Sequence, residues 1–108
     1  MVKRAVALGF AAIALTDHDT VAGIEEAADT AAKVGIEFLA GTEISSHYGK
    51  AEIHIVGLGV NPGCTEMIEA LRKLREAREA RAEAMVEKLN GLGLVVDLDR
   101  VRARAGGA

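Results

Sequence analysis

Aromatic side chains are scarce in this 108-residue chain: one tyrosine, two phenylalanines and no tryptophan. Half of the residues are apolar, but many of those are alanine, so a core built from them is thin. Cys64 is the only cysteine, which excludes an internal disulfide. That fits a reducing cytosol, and a cytoplasmic setting is expected. The formal charge of -3 offers no bulk attraction to a nucleic-acid backbone. No apolar run is long enough to span a bilayer, so no membrane partner is expected. There is no Gly-x-Ser-x-Gly elbow, and no basic residue precedes a phosphate-type glycine loop. There are no internal repeats and no long linker. The length suits one small domain or a piece of a larger one.

The first residues read in two ways. Lys3 and Arg4 followed by the apolar run Ala5 to Leu15 have the outline of a secretory leader. The alternative is a helix over Val2 to Leu8, a stop at Gly9, and a buried strand over Ala11 to Thr16. The Gly9-Phe10 break favours the second, because it interrupts the run as a helix end does. Thr20 then caps a helix over Val21 to Val34, with Ile24, Ala27, Ala28 and Ala31 inward and Gly35 as terminator. Ile36 to Leu39 reads as a second short strand. A β-α-β unit of this kind predicts an α/β fold with parallel strands.

"GTEISSHYGKAEIHIVGLGV" reads as two alternating strands around a Gly49-Lys50 loop of type II′. Asn61-Pro62-Gly63 breaks the chain. Thr65 to Asn90 is charged and helical, with Met67, Leu71, Leu74, Met85 and Leu89 near one stripe and Glu–Arg pairs in support. The tail predicts a short extended segment and one helical turn.

All three histidines lie between residues 18 and 54. His18 falls just past the C-terminal end of a strand, the edge where α/β proteins place their active sites. Asp17 and Asp19 flank it and are able to ligate a metal or orient the imidazole; an aspartate helix cap with an incidental histidine is the plainer reading. In a two-residue hairpin, Tyr48 faces Ala51, Ser45 faces His54 and Ile44 faces Ile55. Alternation then puts Glu43, Ser45, His54 and Val56 on one face. Glu43 lies diagonal to His54, with Cβ atoms roughly 7 Å apart, close enough to share a cation. Ile44, Ile53 and Ile55 take the other face, against helices. A solvent-facing Glu–His pair is the alternative. His47 lies beside the turn and is expected to be exposed, and Ser45 and Ser46 are expected to be ordinary strand residues. Cys64 sits at a helix start, where a thiol pKa can fall; a small residue near a cap is the simpler reading. Arg78 and Arg81 belong either to a solvated helix face or to a site for an anionic substrate.

"ALTDHDTVAG", "GTEIS" and "EIHIVGLG", in that order, resemble the PHP (polymerase and histidinol phosphatase) family of metal-dependent phosphoesterases. The likeness is to its small bacterial members that act on nucleotides and short RNA. It implies part of a distorted seven-stranded β/α (TIM-like) barrel over residues 1–63 and the start of a helical insertion over 64–108. It implies His18, Glu43 and His54 as metal ligands and catalytic residues, with Asp17 and Asp19 supporting them. The complete family site holds two or three divalent ions, and a mixed donor set suits Mn, Fe or Zn better than Mg alone. The expected substrate is a phosphorylated small molecule, a nucleotide or a short RNA, bound with help from Arg78 and Arg81. The family's opening His-x-His and Ser-Asp-Gly motifs and its closing His and Asp ligands do not occur here. The chain is therefore expected to be an internal piece, a poor catalyst alone, and prone to self-association through exposed sheet edges. The rival readings are a non-catalytic metal-binding or interaction module and, within the family, a histidinol-phosphatase-like or polymerase-associated domain.

Overall fold

The computed structural model describes residues 1–105. In chain order the elements are α1 (Val2–Ala7), β1 (Ala12–Leu15), α2 (Ile24–Val34), β2 (Glu37–Tyr48), β3 (Ala51–Leu58), α3 (Thr65–Gly91) and α4 (Leu98–Ala105). The three strands form one sheet in the order β1-β2-β3. Lys3 to Leu15 thus folds as helix, turn and strand. Two compact units divide within α3, the first Met1–Leu74 and the second from Arg75 onward. The expected boundary at residues 63 and 64 lies at the turn before α3. Among the described residues no helix is long and apolar enough to cross a membrane.

The core of the first unit gathers Val2 and Ala5 of α1, Leu15 of β1, Ile24, Ala27 and Ala31 of α2, and Ile36. Each buried Leu or Ile contributes about 1.5–3 kcal/mol; the alanines, with less surface to hide, add far less. β1 is less enclosed than its apolar sequence implies. Only Leu15 is buried, and Ala12 is exposed.

Two expectations for α2 are corrected. It begins at Ile24 rather than Val21, and no side chain caps it. The Thr20 hydroxyl instead accepts the Ala22 N–H at 3.1 Å, a local turn that delays the helix. Ala28 is only half-buried.

The separate strand expected at Ile36 to Leu39 is instead the beginning of β2. Residues Glu37 to Ala40 pair in parallel with Ala12 to Leu15, and Gly41 to Tyr48 pair antiparallel with β3. The handover falls at Gly41, where the backbones are too close for a side chain. A Cβ there would stand 2.7 Å from Thr16 Cγ2, 2.8 Å from the Gly57 carbonyl oxygen and 3.0 Å from that of Leu15.

The hairpin register is the expected one, with Tyr48 opposite Ala51, Ser45 opposite His54 and Ile44 opposite Ile55. Gly49 has φ 62°, and Lys50 is not among the residues of positive φ, which is the type II′ pattern. Ile53 and Ile55 were expected against helices, yet they are 41% and 53% exposed. β3 is an edge strand, and its isoleucine face stays open among the described residues.

α3 buries Leu71, while Met85 of the expected stripe is exposed. The tail is more regular than expected. α4 has eight residues, and the Asp97 carboxylate caps it by accepting the N–H groups of Asp99 and Arg100 at 2.8 and 3.3 Å. In the second unit Arg102 donates to Glu79 and Glu83, at 2.6 and 2.8 Å. Those carboxylates raise the Arg102 pKa above its ordinary value.

Candidate metal centre

Parallel pairing does not stop where β1 ends. The Glu43 N–H donates to the Asp17 carbonyl at 3.0 Å, and the Asp19 N–H donates to the Glu43 carbonyl at 2.9 Å. His18 is thereby set opposite Glu43 in an isolated parallel bridge. The Thr42 hydroxyl, fully buried, donates to the Asp17 carbonyl at 3.3 Å and holds the same strand end from the other face. Past this point Asp19 takes φ 53°, the only non-glycine of positive φ among the described residues. Aspartate tolerates that conformation better than most side chains.

Glu43 lies between two imidazoles. Its Oε2 is 3.7 Å from His18 Nε2, and its Oε1 is 3.2 Å from His54 Nδ1. The two rings meet edge to face with centroids 4.9 Å apart. One ligand atom from each of His18, Glu43 and His54 falls within 4.8 Å of the others. The side chains are 46%, 27% and 34% exposed. Water therefore reaches the group, and the pair is less enclosed than its apolar strand neighbours imply. Two imidazoles and a carboxylate are the donor types of Mn, Fe and Zn sites. With this much exposure the side chains are free to rotate onto one cation, so the set fits a divalent ion.

His47 pairs with Glu52 beside the turn, is exposed, and stays outside the group of three. Asp17 contributes its carbonyl rather than its carboxylate to the hydrogen bonds around Glu43. Cys64 donates its thiol to Glu66 at 3.4 Å. The Glu66 backbone N–H and that thiol hold the Glu66 pKa below its ordinary value. Arg78 and Arg81 lie on the part of α3 that belongs to the second unit.

Two neighbours were missed from sequence. Glu52 shares a strand face with His54, and its Oε1 lies 3.7 Å from His54 Nε2; strict alternation from His54 carries that signal. Ser45 is not an ordinary strand residue. Its N–H and hydroxyl both donate to the Asp19 carboxylate, at 2.8 and 2.7 Å. No local pattern announces a pairing across so long a stretch of chain.

Residues 1–78 match the PHP domain family. The chain belongs to that family. It is 43% identical over 94 residues to a 3',5'-nucleoside bisphosphate phosphatase of Chromobacterium violaceum, covering 87% of this chain and 33% of the relative. It is 41% identical over 107 residues to a 5'-3' exoribonuclease of Haemophilus influenzae, covering 99% of this chain and 39% of the relative. A solved structure of a Chromobacterium violaceum amidohydrolase with bound sulfate and no metal superposes with TM-score 0.83 at 42% identity, covering 91% of this chain and 34% of that one. A Bifidobacterium adolescentis structure assigned as a metal-dependent phosphoesterase gives TM-score 0.76 at 32% identity, covering 83% and 32%. This PHP chain therefore spans about a third of the length of the proteins it resembles.

Proposed function

We propose that this PHP domain carries part of the active centre of a metal-dependent phosphoesterase that hydrolyses nucleotides or short RNA. The observation that carries the reading is the convergence of His18, Glu43 and His54, three donors from two separate chain segments, at the C-terminal end of a parallel strand. His18, Glu43 and His54 are the ligands and catalytic residues in this reading. A divalent cation held there supplies an acidified water near neutral pH and positive charge against the phosphoryl oxygens. Glu43 brings the negative charge that attracts the cation, and Glu52 orients the His54 ring from its far nitrogen. Asp17 and Asp19 hold the backbone behind them. Within the second unit, Arg78 and Arg81 are the groups we propose for holding an anion, which a guanidinium grips in a planar fork.

The identities of the relatives favour phosphate esters of nucleosides and RNA over other substrates. Mn, Fe or Zn suits the donors better than Mg. We assign the three-stranded sheet to the distorted seven-stranded barrel of the family, and the protein to the cytoplasm. Three donors hold one cation, whereas a clamp on both the attacking and leaving oxygens uses two, so turnover by this chain is slow.

The test is phosphate release by the purified chain with Mn²⁺, from a nucleoside 3',5'-bisphosphate and from a 5'-phosphorylated oligoribonucleotide. We expect slow, metal-dependent release that Glu43→Gln abolishes. Metal uptake with no release from either substrate favours the non-catalytic module, and no metal uptake at all overturns the reading.

A further inference from the structure

Asp19 is fully buried, though the two residues before it are exposed. Burying a carboxylate is costly unless its lone pairs are satisfied. Here both oxygens are used on a single residue across the sheet: Oδ1 accepts the Ser45 N–H at 2.8 Å and Oδ2 accepts the Ser45 hydroxyl at 2.7 Å. The Asp19 N–H, in turn, donates to the Glu43 carbonyl at 2.9 Å. Asp19 thus grips β2 at Glu43 through its backbone and two residues later through its side chain. Ser45 is also the register partner of His54. The three donor residues therefore each have this clamp as a neighbour: His18 precedes Asp19, Glu43 accepts its N–H, and His54 lies opposite the serine it holds.

We propose that Asp19 is a positioning residue that sets the spacing of His18, Glu43 and His54 by clamping Ser45, without touching metal or substrate itself. The inference rests on the metal-site reading above. Without the clamp, the left-handed turn at Asp19 is free to drift from β2, and His18 drifts with it. A carboxylate is not uniquely required. An asparagine at this position keeps one acceptor for the Ser45 N–H and offers its NH₂ to the serine oxygen, so the grip survives without the charge.

The experiment compares the wild-type chain with Asp19→Asn, Asp19→Gly and Ser45→Ala. Glycine accepts the left-handed φ and so removes the clamp without adding backbone strain. Co²⁺ binding is followed by its visible absorption, and exchange of the Ser45 and Glu43 amide protons is followed in parallel. We expect Asp19→Gly to weaken Co²⁺ binding by roughly 10–100-fold, the range for losing an outer hydrogen-bond partner of a metal site. Its spectrum should shift and both amides should exchange faster. Asp19→Asn should restore affinity, spectrum and protection. Ser45→Ala keeps the bond through its own N–H and should fall between. Should Asp19→Gly fail to fold, Ser45→Ala decides: wild-type affinity and spectrum in that variant overturn the proposal. Faster amide exchange in Asp19→Gly with unchanged Co²⁺ binding also overturns it, since the clamp is then merely structural. A wild-type chain with protected amides that takes up no Co²⁺ overturns the metal-site reading itself.

Discussion

His18 and Glu43 are joined twice, by a parallel backbone bridge and by side chains whose Nε2 and Oε2 lie 3.7 Å apart. His54 meets the same carboxylate from its other oxygen, 3.2 Å from Oε1, whereas His47 stays beside the turn. This makes the histidines unequal. His18→Ala and His54→Ala should weaken metal binding by more than the roughly 10–100-fold that outer partners cost, whereas His47→Ala should leave it unchanged. Calorimetric titration with Mn²⁺ measures all three, and a His47→Ala loss exceeding the other two contradicts the ligand assignment.

Gly41 is where β2 passes from its parallel to its antiparallel partner. Its prospective Cβ meets two backbone carbonyls as well as a methyl group, and backbone cannot swing aside as a side chain can. Gly41→Ala should therefore destabilise the chain by about 1–3 kcal/mol, the usual cost of overpacking. Urea unfolding measures this, and an unchanged midpoint contradicts it.

The hairpin was readable because each of its determinants is local. A glycine at the first loop position selects the turn, the turn sets the register, and period-two alternation then puts Glu43 and His54 on one face. The continuity of β2 was not readable, because Gly41 looks like a break when its crowded surroundings are unknown. The grip of Asp19 on Ser45 was hidden for the same reason: it joins residues that only the folded sheet brings together. Asp97 was different. Its place ahead of Leu98 carried a capping signal that a reading of the tail as one turn passed over.

Ile53 and Ile55 are exposed on the face of β3 opposite the candidate site. An uncovered apolar edge strand invites pairing with another chain. The purified chain should therefore elute as a concentration-dependent oligomer on a sizing column, and Ile55→Lys should shift it toward monomer without altering Mn²⁺ affinity. A wild-type monomer at every concentration contradicts this.

Arg102 reaches Glu79, Glu83 and Asp99 from α4. All of these groups are solvent-facing, so salt screens their attraction. Arg102→Ala should speed amide exchange across Leu98–Ala105 while leaving β1 to β3 unaffected. Raising the salt concentration should move the wild type in the same direction, and an α4 that is indifferent to both contradicts the role given to Arg102.

A two-residue turn also dictates an order of assembly. Hairpins close in about 1–10 μs, and β2 with β3 requires nothing beyond its own loop. Glu43 and His54 are therefore expected to meet early in refolding. His18 reaches them only after α2 has formed and carried the chain back, a longer closure with a larger entropic cost. A refolding chain is therefore expected to form a two-donor half-site first and to complete it last. Metal added during refolding should accelerate only the slower phase.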